Sequence, residues 1–172
     1  MACLTGGTTR DCSTPISGGS NFLYLAQTSE IATVTVGIAG NVTAIAMVGL
    51  AVFYKFQFAP NLSAFTEALT NENCSTQVTQ TYAFTLRGRS NAYRSAVMEL
   101  ANCCCGMTAI HGENTGLAWL WGFDETEEAY LTANEGTSGT AKSDANQEVV
   151  TITAVATKKA RVFTPGEAGI PI

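Results

Sequence analysis

The feature that most constrains this chain is residues 31–54, IATVTVGIAGNVTAIAMVGLAVFY, a segment without a charged side chain. It is long enough to cross a bilayer as a helix. However, Gly37, Gly40 and Asn41 lie near its middle and favour a hairpin turn. Before that turn, threonine alternates with valine at the period of a β-strand. The segment is therefore predicted to be strand–turn–strand without membrane insertion, its second strand continuing to Phe58.

Alternation of apolar and polar residues predicts further strands. They cover residues 21–27, 76–87, 107–110, 117–123, 129–132 and 149–155. Pro60 ends the strand before it, and residues 61–76 are polar with a short helix-compatible patch at 62–69. The pattern thus predicts a projecting connection between two aromatic-rich strands, and long connections in compact domains are often functional.

One helix is predicted over residues 90–104. Ser90 or Asn91 can cap its start, and Gly106 would end it. Its apolar stripe consists of Tyr93, Val97, Leu100 and Cys104. Several strands with a single helix predict a mainly β fold, a β-sandwich or barrel with one flanking α-helix, a long loop or hairpin extension and extended termini.

A chain of 172 residues suits one packed domain. Residues 1–20 are rich in Gly, Ser and Thr and are predicted to form an extended N-terminal arm. They show no basic start followed by an apolar run, so no signal peptide is expected. The single β-sandwich domain is assigned to residues 21–164. Residues 165–172 are assigned to a C-terminal tail, because Pro165 and Pro171 oppose regular structure.

Charged residues make up only 13% of the chain, against roughly 25% in typical soluble domains. So few charges suggest that other subunits cover much of the surface. The formal net charge of −5 argues against a nucleic-acid reader, since phosphate binding requires a basic patch. The acidic run Asp124, Glu125, Glu127 and Glu128 is interpreted as a solvated loop.

No residues form a convincing catalytic, cofactor or metal site, so the chain is predicted not to be an enzyme. His111 is the only histidine, and Cys103, Cys104 and Cys105 are consecutive. Adjacent cysteines point in different directions and lack the spacing of zinc ligands. Most of the six cysteines are interpreted as small buried hydrophobes in a reducing compartment.

Three other sequence motifs are interpreted as structural features. Residues 136–143, GTSGTAKS, superficially resemble a phosphate loop but carry Ala141 where that loop needs glycine. Trp119 and Trp121 would share one strand face, which is typical of core or interface packing. The glycosylation sequons begin at Asn41, Asn61 and Asn73, and they matter only in a secretory pathway.

The chain resembles virion proteins of tailed bacteriophages, most closely the tail tube or major tail protein family. The resemblance lies in the aromatic strands at residues 52–58 and 81–86, their extended connection, and the single helix. It also includes residues 138–155, SGTAKSDANQEVVTITAV, where a Gly/Thr-rich turn with a D-x-N element precedes a closing strand. No functional residue of the family can be carried over position by position.

The resemblance implies a homo-oligomeric virion tail component made in the host bacterial cytoplasm. Its hexameric rings would stack into a tube that contacts other virion proteins and conducts DNA without binding it specifically. Residues 1–20 and 59–76 would contact neighbouring subunits. The alternatives are another phage head, connector or tail structural protein, or a bacterial surface fibre or binding module.

Overall fold

The computed structural model describes residues 18–58, 61–124 and 126–172, and it confirms the mainly β fold with one α-helix. The helix is α1 (Asn91–Asn102), and short 3-10 turns lie at Thr28–Glu30 and Glu167–Gly169. The strands are β1 (Ser20–Gln27), β2 (Ile31–Val36), β3 (Val42–Met47), β4 (Tyr54–Phe56), β5 (Ser63–Glu72), β6 (Ser75–Arg87), β7 (Met107–Glu113), β8 (Ala118–Trp121), β9 (Ala129–Thr137), β10 (Gln147–Ala156) and β11 (Arg161–Val162).

Nine of the strands in the described residues form one bent sheet with two parts. The first part, here called the covered sheet, has the order β4-β1-β7-β8-β11. The second, here called the outer sheet, has the order β9-β10-β6-β5. The two parts join through a single residue pair, Met107 with Ala129. This narrow junction allows the outer sheet to fold over the covered sheet as a sandwich.

The main core lies between these two sheets. Leu23 and Leu25 of β1 face Tyr82 and Phe84 of β6, and all four side chains are buried. Ile152 of β10 pairs with Tyr82 and extends the same apolar layer. The predicted alternation in residues 76–87 is therefore confirmed.

Helix α1 closes one end of this core. The Ser90 side chain accepts a hydrogen bond from the Tyr93 backbone N–H at 3.2 Å, as expected of an N-cap. Val97 and Leu100 of the predicted stripe are buried. The two ends of the predicted apolar stripe are not buried, because Tyr93 and Cys104 are exposed.

The opposite face of the covered sheet carries a second core. Phe22 and Tyr24 of β1 point into it, alternating with the residues that face the main core. Strands β2 and β3 form a hairpin that packs Val42 against this face. Residues 31–47 are thus strand–turn–strand, as predicted, and Gly40 takes the positive φ of +82° that the turn requires.

The second strand of this hairpin does not continue to Phe58 as predicted. β3 ends at Met47, and β4 begins only at Tyr54. Between them the chain turns at Gly49, whose φ is +60°, and buries Phe53 in the second core. The interruption is needed because β3 lies on the face of the covered sheet, whereas β4 lies at its edge.

The prediction of a polar connection with a helical patch at residues 61–76 is wrong. Residues 63–72 form β5, which pairs with β6 along its whole length. Asn73 and Cys74 form the two-residue turn, both with positive φ, as a tight hairpin requires. Polar Glu67 faces inward, where it accepts hydrogen bonds from the Gln80 side chain and the Ala160 backbone N–H.

The structure describes the whole C-terminal segment but only the last residues of the predicted N-terminal arm. Residues 1–17 of the predicted arm lie outside the described residues, and Ser20 already belongs to β1. The segment after residue 160 is more regular than its prolines suggested, since it contains β11 and a 3-10 turn. Phe163 and Ile170 are buried in the second core, so this segment packs against the domain.

Truncating Phe163 tests whether the C-terminal segment is part of the folded domain. We expect Phe163→Ala to lower the free energy of unfolding by about 3–5 kcal/mol, because it leaves a cavity in the second core. The matched control Ile172→Ala removes a side chain that is 79% exposed and should change stability by less than about 0.5 kcal/mol. Urea denaturation measures both, and equal losses would contradict the packing described.

Candidate functional site

His111 lies in the main core on β7, with its side chain fully buried. Trp121 Nε1 donates a hydrogen bond to His111 Nδ1 at 3.1 Å. The imidazole centroid lies 4.2 Å from the ring of Phe65 and 5.3 Å from that of Tyr82. Since Nδ1 accepts, the neutral ring carries its proton on Nε2, which has no partner among the described residues.

This environment favours a structural role for His111. Burial lowers its pKa from 6.5 to about 3, so the ring is neutral at physiological pH. Strand β7 begins at Met107, two residues after the last cysteine of the run, and His111 lies about 13 Å further along the strand. The structure therefore does not bring the histidine and the cysteine run together.

The pH dependence of stability tests this assignment. The pKa of His111 is about 3 in the folded chain and about 6.5 when unfolded, so the unfolded chain takes up a proton between these values. The stability that neutral His111 contributes is fully present above pH 6.5 and is lost as pH falls towards 3, and the total loss is on the order of 5 kcal/mol. His111→Gln should remove that part of the slope in urea denaturation from pH 7 to 4, and parallel curves for the two proteins would exclude it.

The interpretation of the cysteines as buried hydrophobes is wrong for those that the structure describes. Cys74, Cys104 and Cys105 are exposed, and Cys103 is half-buried. All four are free thiols. Cys103 packs against the main core, and burial is the main cause that raises its pKa. Cys3 and Cys12 lie outside the described residues.

Thiol alkylation should follow this order of exposure. We expect iodoacetamide to modify Cys103 about tenfold more slowly than Cys74, because the Cys103 thiol is shielded and its pKa is raised. Cys104 and Cys105 should react at rates close to that of Cys74. Site-resolved mass spectrometry at pH 8 measures each rate, and a Cys103 that reacts fastest would contradict the packing.

The loop that resembles a phosphate-binding motif is already closed by its own aspartate. Asp144 accepts hydrogen bonds from the backbone N–H groups of Thr140 at 2.8 Å and Ala141 at 2.7 Å, and from the Thr140 hydroxyl. These bonds lower the pKa of Asp144. The amides that would have to hold a phosphate are thus occupied by a carboxylate of the chain itself.

Two glutamates of the acidic run accept hydrogen bonds from other residues of the domain. Glu127 accepts a hydrogen bond from the Thr157 backbone N–H at 2.8 Å, and Glu128 accepts one from Tyr130. Asp124 is exposed as expected of a solvated loop, and Glu125 lies outside the described residues. In the part of the chain described, no three His, Cys, Asp or Glu side chains are arranged to hold a metal ion.

The two tryptophans and the asparagines of the three sequons have structural roles. Trp121 is buried in the main core and Trp119 packs against it, which confirms the predicted packing role. Asn41 donates a hydrogen bond to the Thr164 hydroxyl. Asn61 and Asn73 adopt positive φ at turns. Within the described ranges, no helix has the length and apolarity needed to cross a membrane.

Large apolar side chains exposed at two loops are the most unusual surface feature. Ile38, at the turn between β2 and β3, and Leu50, in the β3–β4 loop, are almost completely exposed, at 112% and 99% of their reference areas. The two side chains lie at opposite ends of the β2–β3 hairpin and form two separate small apolar sites, each beside one exposed valine. Sequence reasoning missed both residues, although an isoleucine between Gly37 and Gly40 was a readable signal.

A second surface feature is a groove of about 670 Å³ between α1 and β4. Its floor is apolar, with Leu25, Leu86, Leu100 and Met107 contributed by four different elements. Tyr54, Phe56 and Tyr93 line its sides. Glu30 and Glu99 also line the groove. Because these residues are far apart in the chain, no local sequence pattern could have indicated the groove.

The exposed face of the outer sheet is uncharged along its centre. Thr66, Thr81 and Thr153 lie side by side across β5, β6 and β10. In the next row towards one end, Ala64, Ala83 and Thr151 are neighbours. This face therefore presents small hydroxyl and methyl groups and no long charged side chains at its centre.

The chain matches no protein-family model, and comparisons with curated proteins and with solved structures also found no match.

Proposed function

We propose that this protein is a self-assembling structural component of a tailed-bacteriophage virion, most specifically a tail tube subunit. The observation that carries the proposal is the almost complete exposure of Ile38 and Leu50 in a chain with few charges. Apolar side chains of this size are costly to leave in water, and contact with another subunit would bury them. His111, Asp144 and Glu127 each have a structural role, which supports a non-enzymatic function.

The β5–β6 hairpin supports assembly as well. Pairing of β6 with β10 ends at Val78, yet the hairpin continues to its turn at Asn73 and Cys74. Residues 69–77 are all exposed, and they extend about 15 Å beyond β10. A long hairpin whose outer half is exposed suits a role in reaching a neighbouring subunit or ring.

The outer edge of β5 supports the same proposal. β5 is the last strand of the outer sheet and pairs only with β6 among the described strands. It contains no Lys, Arg or Pro, and its only charged residues are the inward-facing Glu67 and Glu72 beside the hairpin turn, so the edge has little protection from pairing with another chain. Such an edge is a liability in an isolated monomer but is tolerated in an assembly.

The charge of the chain fits a conduit for DNA. With 14 acidic and 9 basic residues, the subunit would repel phosphate rather than retain it. The hexameric ring, the stacked tube, the contacts with other virion proteins and the location in the virion tail come from the family resemblance. Synthesis in the host bacterial cytoplasm belongs to the same proposal.

Negative-stain electron microscopy of the purified protein tests the function. We expect rings or tubes of uniform width, because the exposed apolar loops and the open strand edge would be covered by neighbouring copies. Free duplex DNA added at physiological salt should not be retained by these particles. A protein that remains monomeric at millimolar concentration would contradict the proposal, whereas closed shells would favour a head protein.

A further inference from the structure

We propose that the β2–β3 turn of one copy inserts into the groove between α1 and β4 of the next copy. The turn is defined here as the tip, residues 37–41, and the groove is defined by the lining residues given above. This contact rests on the proposed self-assembly and specifies how two subunits would meet. The partner is a second copy of the same chain.

The tip has the properties of an inserted knob. Ile38 protrudes fully into solvent, and the neighbouring Val36 is 40% exposed. The turn is held from within, since the Gly37 backbone N–H donates to the Asn41 carbonyl and the Gly40 N–H to the Gly37 carbonyl. A rigid tip loses little conformational freedom on binding, which favours association.

The groove has the properties of a matching receptor. Its volume of about 670 Å³ exceeds what one isoleucine side chain needs and would admit the tip backbone as well. Its floor is formed by buried leucine and methionine side chains, while Tyr54 is 64% exposed at its side. Aromatic side chains around a small apolar pocket are typical of the centre of a protein interface.

The tip and the groove lie at opposite edges of the covered sheet. At the open end of the β2–β3 hairpin, Val48 N–H donates to the carbonyl of Glu30, which lines the groove beside β4. At its closed end, Arg161 of β11 donates to the Gly40 carbonyl. β4 and β11 are the two edge strands, about 19 Å apart across five strands, and a six-residue strand spans about 20 Å.

The charges near the two surfaces are complementary. Arg161 contacts the tip through its bond to Gly40, and its guanidinium lies 5.5 Å from the ring of Phe123. Glu30, Glu99 and Lys55 line the groove. Lys55 is paired with Glu167, whereas neither of the two glutamates forms a salt bridge with another described residue. Seating the tip would bring a basic side chain to an acidic rim, which would also orient the two copies.

A contact between two different surfaces of the same chain is heterologous. Each copy keeps one free tip and one free groove, so addition continues until a ring closes or a filament grows. An isologous dimer would instead use one surface twice. The placement of the tip and the groove at opposite edges therefore agrees with ring formation.

Sedimentation equilibrium of the full-length chain and of Ile38→Asp tests the contact. Ile38 lies in a solvent-exposed turn where aspartate is well tolerated, so the variant should fold normally. We expect the concentration for half-assembly to rise at least about tenfold, since a charge would replace the buried side chain. Met98→Asp is the matched control, because Met98 is 58% exposed and lies outside both surfaces, and it should assemble like the original chain.

Charge reversal separates this contact from other modes of assembly. Arg161→Glu should weaken assembly, and combining it with Glu30→Arg or Glu99→Arg should restore assembly in at least one of the two pairs. If the original chain assembles and Ile38→Asp assembles equally well, the tip–groove contact is wrong while the proposed function stands. If the original chain does not assemble at all, both are wrong. Recovery in neither pair would contradict the charge pairing.

Discussion

The structure depends on a sheet that must be covered on both faces. Successive residues of β1 point to opposite sides, with Leu23 in the main core and Phe22 and Tyr24 in the second. In β7, buried Ala109 and Ile110 divide between the two cores in the same way. A strand that is apolar on both faces is stable only between two layers. The outer sheet supplies one layer, while the β2–β3 hairpin and the C-terminal segment supply the other.

This requirement also explains the most exposed features of the molecule. The hairpin that covers the second face must cross the five strands of the covered sheet, so its turn reaches the edge at β11. On its return, the chain must leave that face and join the opposite edge as β4, which exposes Leu50 in the connecting loop. Helix α1 covers only part of the adjoining end of the main core, and the groove remains beside β4. The same layering thus creates both a protruding tip and a receptive groove.

Much of the fold followed from local pattern, whereas the surfaces did not. Residues 31–47 were predictable because glycines interrupt a period-2 alternation, and α1 because Ser90 caps an apolar stripe. β5 was missed because Glu67 occupies an inward position, where its partners Gln80 and Ala160 come from distant parts of the chain. The pairing of Trp121 with His111 likewise depends on the register between β7 and β8. The groove unites residues from β1, β4, β6 and α1, and no local signal reports such a convergence.

The proposed tip–groove contact would join opposite edges of the covered sheet in successive copies. Amide hydrogen exchange, followed by mass spectrometry at increasing protein concentration, tests it most directly. We expect protection to rise together in the tip, residues 37–41, and in the groove segments, residues 54–57, 93–96 and 99–103. The midpoint of that rise should coincide with the onset of assembly. Assembly that protects other segments while leaving both the tip and the groove unchanged would contradict the account.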